Sequence, residues 1–159
     1  MRIEEAIKQP KFKTEHEKAI INLVYTGNFL ILKQSQVFKS YGVTHQQYNV
    51  LRILRGRKGE PASVKLLNER MLDKSSNVSR LVDKLVQKNL ATREFCETDR
   101  RQVDIFITKK GLDLLDQIAA EQPDLHETLK DIPEEDLRRL NETLNAVRAT
   151  YGQVSEEDQ

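Results

Sequence analysis

The sequence contains one cysteine, Cys96, no tryptophan and six glycines among its 159 residues. A single cysteine excludes a disulfide within the chain and fits a reducing compartment, so we expect a cytoplasmic protein. The longest apolar stretch, from Ala19 to Leu32, is interrupted by polar residues and a glycine and is too short for a bilayer. The first residues also lack the basic end and apolar centre of a secretory signal. We therefore expect no membrane partner.

Sequence patterns of catalysis are missing as well. The chain has no Gly-x-Ser-x-Gly, no His-Glu-x-x-His and no glycine-rich phosphate loop. His16, His45 and His126 are too far apart in the sequence for a metal-ligand motif. These absences predict a protein that is not an enzyme and that has neither a cofactor nor a metal site.

Charge is distributed unevenly, although the net charge is only +1. Residues 1–62 carry 11 Lys/Arg and 5 Asp/Glu, residues 63–110 carry 11 and 7, and residues 111–159 carry 4 and 13. The basic first two thirds suggest contact with a polyanion. Chance scatter of surface charges explains this pattern equally well, so charge alone does not decide the function.

The first part of the chain predicts an arm followed by a long helix. Residues 1–13 show no period and are expected to form a loose N-terminal arm. Thr14, with Glu17 three residues later, has the spacing of a capping box, and the helix is expected to continue to about Ser40. Gly42 suits the left-handed position after its end.

Three shorter helices are predicted next. Thr44, with Gln47 three residues later, begins the second helix, and Ser63 caps the third. The fourth is expected to begin at Asp73 or Ser75, since both side chains are good caps. Its apolar residues recur along one face: Val78, Leu81, Val82, Leu85 and Val86.

The apolar period then changes from 3.6 to 2, which is typical of strands. Residues 91–96 and 103–107 are rich in β-branched and aromatic side chains, and residues 97–102 between them are polar throughout. This pattern predicts a β-hairpin with a charged tip. The apolar side chains of Val103, Ile105 and Ile107 are expected on one face.

The last third predicts two further helices and an acidic tail over residues 153–159. Thr108 caps a fifth helix that is disturbed near Pro123, and Pro133 suits the first turn of the last helix. The last helix has a heptad seam of Leu137, Leu140, Leu144, Val147 and Tyr151. Such a seam packs either on its own chain or on a second copy, and we favour a homodimer.

Three short helices followed by a hairpin are the order of a winged helix-turn-helix. The predicted fold is therefore mainly α with a small β-hairpin wing. A helix fits the major groove of duplex DNA, and a basic hairpin reaches the adjacent minor groove. One polar residue at the start of the fourth helix is expected to cap it rather than contact a base. The expected DNA-facing residues of this helix are Ser75, Ser76, Asn77, Ser79, Arg80 and Lys84.

Three stretches of the chain resemble the MarR family of regulators. Residues 79–90 are similar to the recognition helix of that family and its exit, with Asn89 where the family usually has glycine. Residues 99–111 fit its wing signature of Asp-x-Arg, a strand and Thr-x-x-Gly, and residues 43–51 are similar to its second-helix entry. The resemblance covers roughly residues 14–151.

The resemblance implies roles for matching positions. Arg101 would insert at the minor groove, with Asp99 supporting the hairpin tip and Arg100 beside it. Lys65, Lys84 and Arg93 are weaker candidates for phosphate contacts.

The resemblance also implies a division of the chain. Residues 43–107 would form the DNA-binding domain, and residues 14–42 and 108–152 the helical dimerisation region. Family members dimerise through their first and last helices, and many are repressors released by small aromatic or amphipathic effectors. We therefore expect a homodimer that binds pseudo-palindromic double-stranded DNA.

Two alternatives remain open from the sequence. In the first, the winged helix is a protein-interaction scaffold whose basic wing binds an acidic partner. In the second, the protein is a regulator that senses redox state or metal through Cys96 or its histidines. A strand thiol without a partner for an intrachain bond favours an inert Cys96.

Overall fold

The structure, a computed structural model, describes residues 1–95, 103–121 and 129–150. No helix in these segments combines the length and apolarity that crossing a membrane requires. The chain runs through α1 (Ile3–Ala6), α2 (Glu15–Ser40), α3 (His45–Arg55), α4 (Val64–Arg70), α5 (Val78–Gln87), β1 (Ala91–Phe95), β2 (Val103–Ile107), α6 (Lys109–Glu121) and α7 (Glu134–Thr150). The predicted mainly α fold with a two-stranded hairpin is confirmed.

The N-terminal segment is more ordered than the predicted loose arm. Ile3 to Ala6 form a short helix, and the side chain of Ile3 is buried. An ion pair of 2.7 Å between Glu4 and Lys18 holds this helix against α2. The sequence pattern missed it because four residues are too few to show a period.

The caps of α2 and α3 agree with the sequence, with one difference. Thr14 Oγ1 accepts a hydrogen bond from the Glu17 backbone N–H, but the Glu17 carboxylate accepts from Lys13 rather than from Thr14. Thr44 and Gln47 form both hydrogen bonds of the predicted capping box. Helix α2 ends at Ser40 as predicted, and Gly42 follows with a φ of +69°.

The core lies within the three-helix and hairpin unit. Helix α3 packs against α2, α4, α5, α6 and β2. Stacking of Phe38 on Tyr48, with ring centroids 4.1 Å apart, joins the end of α2 to this core. The fully buried side chains are Val50, Leu51, Leu54, Leu67, Val82, Leu85, Ile105, Leu115 and Ile118.

The two strands pair in antiparallel register from Ala91 opposite Ile107 to Phe95 opposite Val103. The backbones of Ala62 and Ile105 also exchange two hydrogen bonds, of 2.9 and 3.0 Å. The segment before α4 therefore lies beside β2 and holds the base of the hairpin. Ile105 is fully buried, as its predicted apolar face requires.

The backbone at the start of α6 packs directly against the backbone between α5 and β1. Asn89 takes a left-handed conformation with a φ of +58°, and Thr108 Oγ1 donates to its carbonyl oxygen. Thr108 Oγ1 also accepts from the Gly111 N–H, which confirms the predicted cap. A Cβ atom on Gly111 would lie 2.3 Å from the Leu90 carbonyl oxygen, so only glycine fits at this position.

Candidate nucleic-acid interface

Helix α5 begins later than the sequence predicted, at Val78 rather than at Asp73 or Ser75. The Asp73 carboxylate accepts from the backbone N–H and the hydroxyl of Ser75, at 3.0 and 2.6 Å, and so closes a turn instead of capping a helix. The Ser75 hydroxyl bond is the main cause that lowers the pKa of Asp73. The cap is Asn77, whose Oδ1 accepts from the Arg80 N–H at 3.1 Å.

The serines before α5 differ in their exposure. Ser75 is exposed, although its hydroxyl donates to Asp73. The Ser76 hydroxyl is buried in the turn beside Asp73 and is not presented to solvent. In this arrangement Ser76 departs from the expectation that it faces a groove. The reason is the tight turn that Asp73 forms, which points the second serine inward.

The polar side of α5 is presented to solvent. Val78, Val82 and Leu85 are buried on the opposite side of the helix. This burial fixes the rotation of α5, because side chains on one face of a helix recur every three to four residues. Ser79, Arg80 and Lys84 are exposed, as predicted for a helix that approaches a ligand with its polar face.

The side chain of Arg93, a predicted phosphate contact, forms an ion pair within the protein. Its Nη1 lies 2.9 Å from Oδ1 of Asp83, so the ion pair joins β1 to α5. Both side chains are partly exposed, and the pair has a modest energy in solvent. Its geometric effect is to hold the hairpin beside the exposed face of α5. Sequence spacing alone did not indicate this pairing. Lys65, the other weaker candidate, is exposed on α4.

The hairpin tip carries the remaining predicted residues. Asp99, Arg100 and Arg101 lie outside the described residues, and so does Cys96. Their roles stay predictions. The described strands end at Phe95 and Val103, and the ladder between them places both ends of the tip at the same end of the hairpin.

Polar contacts connect the end of α5 to α3 and to the turn between α2 and α3. Lys88 Nζ donates to the Gly42 carbonyl oxygen at 2.6 Å and to Gln47 Oε1 at 3.1 Å. Lys110 Nζ donates to the Lys88 carbonyl oxygen. Next to these contacts lies a cleft of about 510 Å³ lined by Tyr41, Gly42, Lys88, Leu90, Lys110, Asp113, Leu114 and Gln117.

His45 at the start of α3 contacts residues of α2. Its Nε2 lies 3.1 Å from Gln34 Oε1, and its ring packs against Phe38. Burial lowers the pKa of His45. Among the residues that the structure describes, no three His, Cys, Asp or Glu side chains are grouped closely enough to hold a metal ion.

The capping role of Asn77 leads to a stability prediction. Asn77→Ala removes the acceptor for the Arg80 N–H and is expected to lower the free energy of unfolding by about 1 kcal/mol. Asn77→Ser keeps a capping oxygen and should restore most of that loss. Chemical denaturation of the three proteins measures the effect. Equal stability of Asn77→Ala and the parent would contradict the assignment of the cap.

These features define a winged helix-turn-helix protein, in which a helix with an exposed polar face is held between two core helices and a hairpin. A family model described as MarR family matches residues 41–102. The chain is 30% identical over 108 residues to the HTH-type transcriptional regulator MhqR of Bacillus subtilis, covering 67% of this chain and 73% of that protein. It is 29% identical over 123 residues to MgrA of Staphylococcus aureus, covering 77% and 81%. The chain belongs to the MarR family of transcriptional regulators.

Solved structures agree with this fold. AbsC, a MarR family transcriptional regulator from Streptomyces coelicolor, superposes with a TM-score of 0.72 at 24% identity, covering 86% of this chain and 95% of that chain. MepR of S. aureus, in its complex with DNA, also gives a TM-score of 0.72, at 16% identity and with 82% and 94% coverage. At these sequence identities the structural similarity shows a shared fold and nothing further.

Proposed function

We propose that this protein is a homodimeric transcriptional regulator that binds pseudo-palindromic double-stranded DNA through α5 and the hairpin. The observation that carries the proposal is the exposed polar face of α5, with Ser79, Arg80 and Lys84, on a helix whose opposite face is fixed in the core. A helix held in this way enters the major groove with a defined rotation.

The exposed side chains suit different parts of the duplex. Arg80 is long enough to donate two hydrogen bonds to a guanine, and no ion pair within the described residues competes for its guanidinium. Lys84 and Lys65 are exposed and suit phosphate contacts. The proposed minor-groove contact is Arg101, with Arg100 and Asp99 in the same tip.

The apolar surface of α2 supports the homodimer. Phe38 is the single buried residue of this helix of 26 residues. Its exposed large apolar side chains are Ile20, Leu23, Val24, Phe29, Leu30, Ile31 and Leu32. So many exposed apolar side chains on one helix are typical of a protein interface. Helix α7 has no buried residue, and Leu140 of its heptad seam is 49% exposed. We propose that two copies cover these surfaces with residues 14–42 and 108–152, which places two α5 helices on paired half-sites.

The cleft beside Lys88 supports regulation by a small effector. It lies where α5, α6 and the end of α2 meet, and two ammonium groups and Tyr41 line it. An aromatic or amphipathic molecule bound there would alter the contacts between Lys88 and Gly42 and so the position of α5. CouR of Rhodococcus jostii, a structural neighbour at 23% identity, is bound to p-coumaroyl-CoA. We propose that such a molecule releases a repressor from its operator.

Selection of bound fragments from random duplex DNA tests the proposal. The selected fragments are expected to contain inverted half-sites about one helical turn apart. The logarithm of the affinity should fall with the logarithm of the salt concentration, with a slope of about −0.9 for each phosphate contact. If no duplex binds at low salt, DNA binding is contradicted, and the protein-interaction scaffold is then favoured.

Two α5 variants separate base contact from phosphate contact. Arg80→Ala is expected to cost about 1–3 kcal/mol of binding free energy and to relax the preference at one base pair of each half-site. Lys84→Ala, a matched control one turn away, should weaken all duplexes alike and reduce the salt slope by about 1. Titrations of the selected site and of its single-base variants measure both effects. An unchanged base preference in Arg80→Ala would remove its role in base recognition.

A further inference from the structure

The turn before α5 presents a large apolar side chain to solvent. Leu72 is 78% exposed, whereas the preceding residue, Met71, is buried in the core. Among the described large apolar residues only Met1 is more exposed, and Phe95 at the end of β1 follows at 75%. Leu72 therefore lies in the turn before α5, and Phe95 lies at the end of the strand that follows α5.

The exposure of Leu72 does not result from a loose turn. Its backbone N–H donates to Asn49 Oδ1 of α3 at 3.0 Å. On the C-terminal side, Asp73 accepts from Ser75 and from Gln46. Lys74 Nζ donates to the Glu69 carbonyl oxygen at 2.6 Å. The backbone of Leu72 and the side chains of Asp73 and Lys74 thus join this turn to α3 and to the end of α4, and the leucine within it is exposed.

We propose that Leu72 contacts the 5-methyl group of a thymine at the edge of the major groove, and this inference rests on the proposed function. A recognition helix enters the groove with its N-terminal end, and Leu72 precedes that end of α5. Thymine is the one base that presents an apolar group in the major groove. Lys74, Ser75 and Ser79, which follow Leu72 in the chain, are exposed polar residues. Contact between the leucine side chain and the thymine methyl group would be stabilised because it removes both apolar groups from water.

If Leu72 contacts a thymine, the DNA-binding affinity should depend on the methyl group of that one base. Each thymine of the selected operator is replaced in turn by deoxyuridine, which pairs identically but lacks the methyl group. The affinity of the parent protein is expected to fall about fourfold at one position of each half-site, the effect of exposing one buried methyl group. In Leu72→Ala the same replacement should have no further effect, because the partner of the methyl group has been removed.

The matched control is Leu72→Met, which keeps an apolar side chain of similar volume at the same position. It should retain the full fourfold loss on deoxyuridine DNA. Fluorescence anisotropy titrations of the three proteins give the values, and thermal unfolding checks that both variants fold. Equal deoxyuridine effects in the parent and in Leu72→Ala, or no effect at any thymine, would overturn the thymine contact. A uniform loss in Leu72→Ala would overturn it too and indicate contact with the sugar-phosphate backbone.

The two proposals fail in different ways. If the parent protein selects no duplex, the proposed function fails and the inference fails with it. If the parent selects an operator but shows no coupling between Leu72 and a thymine methyl group, the inference alone fails.

Discussion

Gly111→Ala is expected to lower the free energy of unfolding by about 3 kcal/mol, because a Cβ atom at this position would lie 2.3 Å from the Leu90 carbonyl oxygen and 2.8 Å from Ile107 Cγ1. The carbonyl belongs to the backbone between α5 and β1, so it cannot turn away as a flexible side chain would. Relief of the clash requires α6 to move away from the junction, which weakens the packing of Leu115 and Ile118 in the core.

Thermal and urea unfolding measure this loss, which corresponds to a fall of roughly 6–12 °C in the melting temperature of a protein of this size. Gly56→Ala is the matched control. Gly56 has a φ of −64°, which alanine adopts, and the nearest atom to an added Cβ is the Ile53 carbonyl oxygen at 3.4 Å. This variant should change stability by less than about 1 kcal/mol. If the two variants have equal free energies of unfolding, α6 can move away from the Leu90 backbone without loss of stability, and the prediction is wrong.

The double variant Leu140→Asp, Leu144→Asp is expected to convert the proposed dimer to a monomer and to weaken operator binding by about 10²–10⁴-fold. Leu140 is half exposed in the single chain, so its replacement leaves the core of the DNA-binding region unchanged. A carboxylate on the proposed seam would, however, be buried unpaired between two copies, which is strongly unfavourable. Without the dimer, binding of the second half-site no longer benefits from the effective concentration that the first provides.

Sedimentation equilibrium measures the mass, and titration of full and half operators measures the loss of affinity. Ala149→Asp is the matched control, since it adds a carboxylate to α7 on the side away from the seam. This variant should remain dimeric and bind the full operator like the parent. If the double variant keeps the mass of a dimer, the seam of α7 does not belong to the interface.

Local chemistry explains the features that could be predicted from the sequence. Thr44 with Gln47, Ser63, Thr108 and the left-handed Gly42 act within three or four residues of one another, and the structure has all four as predicted. The strands were predicted for the same reason, because alternation is a property of neighbouring residues.

The start of α5 shows where this reasoning fails. Asp73 and Asn77 are equally good caps when judged from the sequence. The contact of Asp73 with Gln46 and the burial of Val78 depend on α3 and the core, and these contacts select Asn77. The pairing of Arg93 with Asp83 and the exposure of Leu72 also depend on tertiary contacts. The sequence alone identifies the polar residues on one side of α5 that are proposed to face DNA. It does not show which of them are exposed to solvent and which are already bonded within the protein.

The hairpin is attached on two sides, through the backbone pairing of Ala62 with Ile105 and through the ion pair of Arg93 with Asp83. A shift of its base therefore displaces α4 and α5 together. Within one copy, these contacts hold the described strands of the hairpin at a defined position beside α5. In the proposed dimer, operators with different distances between their half-sites would be accommodated by rotation of one copy against the other. The proposed interface would then determine which spacings are tolerated.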